Sequence, residues 1–209
     1  MDYTIDIDEL NVPKKERSMP FEKFFGEMDL TPEQKKKRIE MAEEFEDMMW
    51  YFFEYYNVMV ENNTIANTRK LIDTLETRYL DVLRHFMGSD GEILAYVKTF
   101  AQNVTETTVK HSDDDYYTSN DRARLIAENE SLSCFNNYDY LDAIASGKTK
   151  KRWIAIVDDK TRDTHLSVNG KTIPINDYFF VGDSLMRYPH DLRASAQEVI
   201  NCRCSISYL

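Results

Sequence analysis

Near the end of the 209-residue chain stands Ile200-Asn201-Cys202-Arg203-Cys204, and upstream of it lie Asp158, Thr161-Arg162, His165, Asn169-Gly170 and Tyr188-Pro189-His190-Asp191. These residue types support three chemistries. Cys202, Cys204, His165 and His190 make a Cys₂His₂ set, of the kind that holds zinc tetrahedrally. Cys202 or Cys204 with His165 makes a thiol–imidazole dyad for covalent catalysis, and Arg162, His165 and Glu198 are types that serve a transferase or a nuclease. The third chemistry is structural. Alternate residues of a strand face opposite ways, so Cys202 and Cys204 share one face and can pack against Trp153 and Ile156. Arg203 then points the other way, where its guanidinium can fork onto Asp158 or Asp163 and clamp strand to loop.

The spacing weighs toward the clamp. Cys-x-Cys is less usual in zinc sites than Cys-x₂-Cys, and no known finger has this spacing. Nothing in the sequence fixes an oxyanion site, and no glycine-rich phosphate loop is present. The expectation is therefore a structural clamp of Asp158, Asp163 and Arg203 and no catalytic residues, with zinc on the two cysteines and two histidines as the alternative. The third cysteine is Cys134. Three cysteines are too few for a disulfide framework, and free thiols fit a reducing compartment.

The elements that must position this set begin with an arm, residues 1–30, with Pro13, Pro20 and an apolar cluster at Phe21, Phe24 and Phe25. Thr31-Pro32-Glu33-Gln34 is a helix start, with a capping threonine, proline at the first helical position and a glutamine that completes a capping box. Apolar residues at Ile39, Ala42, Phe45, Met49, Phe52, Tyr56 and Met59 carry that helix to about Asn62. Between Met48 and Tyr56 it is aromatic nearly all round (Trp50, Tyr51, Phe52, Phe53, Tyr55, Tyr56), which predicts a helix sandwiched in the core or lying at an interface. Phe21, Phe24, Phe25, Trp50, Phe52, Phe53 and Tyr56 are on that ground the candidate partner-binding residues. A second helix is predicted from about Thr64 to Met87, closed by Gly88, and a third from about Gly91 to Lys110. The run Asp113-Asp114-Asp115 marks a solvated linker.

Thr118 to Asp121 reads as a second capping box, opening one helix through Glu130, with a separate short helix through Tyr140, Leu141, Ile144 and Ala145 that ends at Gly147. The basic run Lys148-Thr149-Lys150-Lys151-Arg152 reads as an exposed connector. The period then changes. Trp153–Val157 is a predicted buried strand, Val168-Asn169-Gly170-Lys171 a hairpin turn, and Cys204–Tyr208 an alternating last strand. Helices first and a small antiparallel sheet last predict an α+β fold with long antiparallel helices.

Charge is divided unevenly. Residues 1–118 carry 14 Lys and Arg against 25 Asp and Glu, whereas residues 119–209 carry 12 of each, so the first part holds the whole net charge of −11. An acidic half repels phosphate and is a poor non-specific DNA binder; it suits a basic protein surface. No apolar run approaches the roughly 20 residues that a bilayer span needs. The acidic start, Met1-Asp2-Tyr3-Thr4-Ile5-Asp6, has no secretory character, so synthesis and retention in the cytoplasm are expected.

From Asp121 onward the ordered motifs resemble a known family. Arg122-Ala123-x-x-Ile126-Ala127-x-x-Glu130, Gly147 and Lys151-x-Trp153 come first. Asp158-x-x-Thr161-Arg162-x-x-His165, Asn169-Gly170, Phe179, Tyr188-Pro189-x-Asp191 and Asn201-Cys202-Arg203-Cys204 follow. This set is similar to the phage Mu F-like head-morphogenesis domain over about residues 119–209, preceded by an acidic helical region, residues 31–118. Many members carry Cys-x-x-Cys where this chain has Arg162-Asp163-Thr164-His165, and His190 stands where a small residue is common. The resemblance implies a minor head protein of a tailed bacteriophage or prophage, located in the virion head and in the host cytoplasm during assembly. It implies portal or capsid proteins as partners and weak or indirect contact with packaged DNA. Some members carry toxin enzymes as an extra domain after this one. Only five residues follow Cys204, so no such domain and no enzyme activity are expected. The alternative is a metal-dependent or thiol enzyme, or an effector, delivered with phage DNA.

Overall fold

The computed structural model describes residues 20–62, 68–88 and 91–209. The first 19 residues of the arm, and Thr64 at the expected start of the second helix, lie outside the described residues. In chain order the elements are α1 (Glu22–Gly26), α2 (Pro32–Glu61), α3 (Thr68–Phe86), α4 (Gly91–Lys110), a 3₁₀ turn at Asp115–Thr118 and α5 (Asn120–Ala145). Then come β1 (Lys150–Ile154), α6 (Asp163–Leu166), β2 (Thr172–Pro174), β3 (Phe179–Val181), β4 (Ser184–Met186), α7 (Ala196–Val199) and β5 (Ser205–Tyr208). The fold is α+β. Two compact units divide the described residues: a helical unit from Glu44–Ile126, and a carboxy-terminal unit from the segment before Glu44 together with Ala127–Leu209. The boundaries fall inside α2 and α5.

The capping box of α2 forms as its sequence requires. Gln34 N–H donates to Thr31 Oγ1 at 3.2 Å, and Thr31 N–H donates to Gln34 Oε1 at 3.0 Å. In the helical unit, Tyr79 of α3 packs its ring 4.7 Å from Phe45 of α2 and 5.0 Å from Phe100 of α4. The aromatic belt of α2 is enclosed. Trp50, Phe52, Phe53 and Tyr56 are each 3% exposed or less. The Arg78 guanidinium of α3 covers Tyr51 at 3.3 Å, while Arg122 of α5 covers Phe53 at 5.3 Å from another side. The belt is aromatic all round because helices flank it on more than one face. These four side chains, nominated as a partner surface, stand inside the unit.

Two expectations around α5 need correction. Its cap is Ser119, whose Oγ accepts from Arg122 N–H at 3.2 Å, rather than Thr118. It also runs unbroken to Ala145 instead of splitting in two. Ser131, Ser133, Asn136 and Asn137 are weak helix formers in its middle, but all are buried, and Ser131, Asn136 and Asn137 are held by tertiary hydrogen bonds. Gly147, with φ of +76°, ends the helical run as expected.

In the carboxy-terminal unit a three-stranded antiparallel sheet has the order β2-β1-β5, and β3 pairs with β4 as a separate hairpin. The strand expected at Trp153–Val157 lies three residues earlier, at Lys150–Ile154, so the basic connector is part of the sheet's central strand. Lys151 and Trp153 face the core and Lys150 and Arg152 face outward. The turn at Val168–Lys171 forms, with Lys171 N–H donating to Val168 O at 3.1 Å, but it leads from α6 into β2 rather than joining two strands. Phe21 and Phe25 of the arm are buried, at 1% and 0% exposure, and Phe24 is half-buried with its ring edge-on to Phe25 at 5.2 Å.

Candidate functional site

The polar centre of the carboxy-terminal unit is assembled from α6, α7 and the segment entering β5. The core around it contains Trp153, Val168, Phe179, Val181, Met186, Cys202 and Cys204. His165 sits on the single turn of α6 with its ring edge-on to Trp153 at 5.8 Å. Asn201, at φ of +58°, occupies the left-handed region that asparagine tolerates, and the chain turns there to enter Cys202. As the alternation requires, Cys202 and Cys204 both point inward and are 2% exposed.

His165 Nδ1 lies 3.3 Å from Cys204 Sγ and 3.5 Å from Cys202 Sγ. The other ring nitrogen, Nε2, lies 3.0 Å from Glu198 Oε2 on α7. That carboxylate oxygen also accepts from the Thr164 hydroxyl at 2.9 Å. Gly182 closes over the same carboxylate. A Cβ at this position would fall 2.2 Å from Glu198 Oε1, and its φ of +56° is itself a glycine conformation. A carboxylate at Nε2 fixes the proton there, so Nδ1 presents its lone pair to the sulfurs. The two thiols are inequivalent. Burial pushes Cys202 well above the ordinary thiol range. The hydrogen bond from Cys202 pulls Cys204 down against its own burial. A small cleft lined by Thr161, Arg162, Asn201 and Arg203 reaches these three residues.

His190 is not part of the cluster. It is buried, at φ of +59°, and its Nε2–H donates to the backbone carbonyl of Cys202 at 2.8 Å. Burial lowers its pKa to about 4, so the ring is neutral. The four-residue Cys₂His₂ set is therefore corrected to three residues, with His190 bracing the backbone of one of them.

The clamp forms with one change of partner. Arg203 donates to Asp158 Oδ1 at 2.6 Å and to Glu27 Oε2 at 2.7 Å. Its hydrogen bonds hold the Asp158 carboxyl well below the usual range. Asp163 is exposed at the start of α6, and the second carboxylate on Arg203 is instead Glu27, just after α1. A second buried pair lies around Tyr188-Pro189-His190-Asp191. Asp191 accepts from the Arg187 backbone at 2.8 Å and from its guanidinium at 2.9 and 3.1 Å, while the Tyr188 hydroxyl donates to Asn137 of α5 at 2.7 Å. Burial alone would raise the Asp191 carboxyl, but Arg187 holds it below the ordinary value. Pro189 O accepts from Asn136 of α5 at 2.7 Å. The tyrosine, proline and aspartate of this motif thus fasten the unit.

Sequence reasoning grouped Glu198 with Arg162 and His165 as catalytic types without seating it on the histidine ring, and it missed Glu27 altogether. Neither carries a local signal, since Glu198 lies 33 residues from His165 and Glu27 lies 176 from Arg203.

Residues 95–207 match the family described as phage Mu protein F like protein. The chain belongs to that family. The matched region contains the cluster, the Asp158–Arg203 pair and the Tyr188–Asp191 motif. Among curated proteins it is similar to an NAD(+)–arginine ADP-ribosyltransferase of Enterococcus faecalis (strain ATCC 700802 / V583), 34% identical over 56 residues. That stretch is 27% of this chain and spans only 11% of the relative's length. No solved structure matches. Among the described residues, no helix of this Mu F-like protein is long and apolar enough to cross a membrane.

Proposed function

We propose that the protein is a minor component of a tailed-phage head that acts by binding portal or capsid proteins, with contact to packaged DNA weak or indirect. The match to the Mu F-like family over residues 95–207 carries this reading. The acidic first part of the chain supports a protein partner over a nucleic acid. The docking surface needs a new place, because the aromatics first nominated are almost all buried. The β3–β4 hairpin offers one. Phe179, Val181, Ser184 and Met186 face inward, whereas Phe180 and Leu185 are cross-strand partners on the outer face, 76% and 52% exposed. An apolar pair side by side on an outward face suits contact with another protein.

Co-sedimentation of the protein with heads from a phage lysate, followed by pull-down with the purified portal, tests both parts. Wild-type protein should be retained by portal or by capsid protein, and Phe180→Ser with Leu185→Ser should lower retention at least tenfold. Wild-type protein absent from the head fraction would overturn the reading. Retention unchanged in the double variant would remove the hairpin from it. A thiol enzyme or effector is the second reading, favoured by the line Cys204–His165–Glu198. A gene standing beside portal and scaffold genes would count against it.

A further inference from the structure

We propose that His165 Nδ1, Cys202 Sγ and Cys204 Sγ are the three protein ligands of a soft divalent cation of the zinc type, with Glu198 orienting the histidine and the fourth position facing the small cleft. This stands independently of the role in the head. The three donor atoms lie within 4.8 Å of one another and belong to buried residues. With metal–sulfur bonds of about 2.3 Å and metal–nitrogen bonds of about 2.0–2.1 Å, the nitrogen–sulfur edge of a tetrahedron is about 3.6 Å. The observed edges are 3.3 and 3.5 Å. These two edges therefore stand close to ligand spacing.

The second sulfur separates this site from a thiol nucleophile. A dyad needs one thiol on the base. Here two sulfurs converge on one imidazole nitrogen, which has a single lone pair and can accept only one good hydrogen bond. A cation accommodates both. Two thiolates and a divalent ion are neutral together, which removes the cost of burying the sulfurs charged. Simple apolar packing, for its part, does not call for a buried carboxylate on the far ring nitrogen. Glu198 is held there by Thr164, and Gly182 leaves it room. A carboxylate on the distal nitrogen of a metal-bound histidine fixes its orientation and raises its basicity. His190 adds a fourth support by holding the Cys202 carbonyl at 2.8 Å, which sets the direction of the Cys202 side chain.

The test uses the full chain, reduced and freed of metal by chelator, titrated with cobalt(II) and then zinc. Expected are one equivalent of cobalt, a thiolate-to-cobalt charge-transfer band, intense visible bands of tetrahedral form, and their displacement by zinc. Cys202→Ser and Cys204→Ser should each abolish the charge-transfer band or halve its intensity. Glu198→Gln should keep the band and weaken affinity about 10- to 100-fold. Cys134→Ser should change nothing. A cadmium-113 spectrum of wild-type protein should show a resonance in the range of two sulfur ligands, which holds the test open if a cysteine variant does not fold. A wild-type chain that gives no charge-transfer band and no such resonance, or a band that survives in the Cys202→Ser, Cys204→Ser double variant, overturns the proposal.

Discussion

Replacing Lys151 by methionine should make the carboxy-terminal unit more stable at neutral pH. Lys151 lies on the central strand β1 and is 0% exposed. Its Nζ has no hydrogen-bond partner among the described residues and sits 5.1 Å from the Tyr140 ring and 5.7 Å from that of Phe179. Burial, and then the nearby Arg187 cation, lower its pKa from 10.5 to about 8. At about 1.4 kcal/mol per pH unit, keeping the ammonium charged in the folded chain costs on the order of 3 kcal/mol relative to the unfolded chain. The two rings return part of this, about 0.5–2 kcal/mol. Methionine keeps the unbranched stem and drops the charge, so a net gain of about 1–3 kcal/mol is expected.

The sign of the pH dependence follows from the direction of the shift. Between about 8 and 10.5 the unfolded chain holds the lysine proton and the folded chain does not, so wild-type stability rises with pH across that window. The advantage of Lys151→Met should be full below pH 8 and should fade as pH approaches 10.5. Urea unfolding monitored by Trp153 fluorescence, in a Trp50→Phe background common to both proteins, reads the correct unit. A Met variant less stable than wild type at pH 7, or a gap that stays constant from pH 7 to 10.5, would refute the reasoning.

Two further outcomes follow from the same unit. Gly182→Ala forces a Cβ onto the Glu198 carboxylate at 2.2 Å in a left-handed conformation; a loss of about 1–3 kcal/mol is expected in urea unfolding, and a neutral effect would mean the carboxylate is free to move. Asp191→Ala removes the buried carboxylate that accepts from the Arg187 guanidinium. Thermal unfolding followed by circular dichroism should show a loss of about 3–5 kcal/mol, with Asp191→Asn intermediate.

Local pattern made much of the fold legible. The capping box at Thr31, the apolar steps of α2 to α4, the stop at Gly147 and the alternation of Cys202, Arg203 and Cys204 all appear in the structure where their spacing requires, because each depends on residues within one or two turns. The missed features involve competition between local and tertiary preference. Serines and asparagines broke the expected course of α5, yet they lie in an unbroken helix held by partners such as Pro189, 53 residues from Asn136. A run of lysines looked like a connector, yet Lys151 is drawn inward by two aromatic rings. The aromatic belt of α2 was ambiguous by nature, since residue types cannot say whether flanking helices or another protein cover it.

The sequence by itself determined the α+β order, the family and the pairing of two cysteines on one face, all of which rest on residue type and short spacing. Only the tertiary structure decided what those cysteines meet. It put His165 between two sulfurs and a carboxylate, turned His190 onto a backbone carbonyl, and gave Arg203 to Glu27 in place of Asp163. The reason is physical. A side chain's partners across the fold depend on how distant segments return to one place, and that path is set by the packing of the whole unit rather than by the residues on either side.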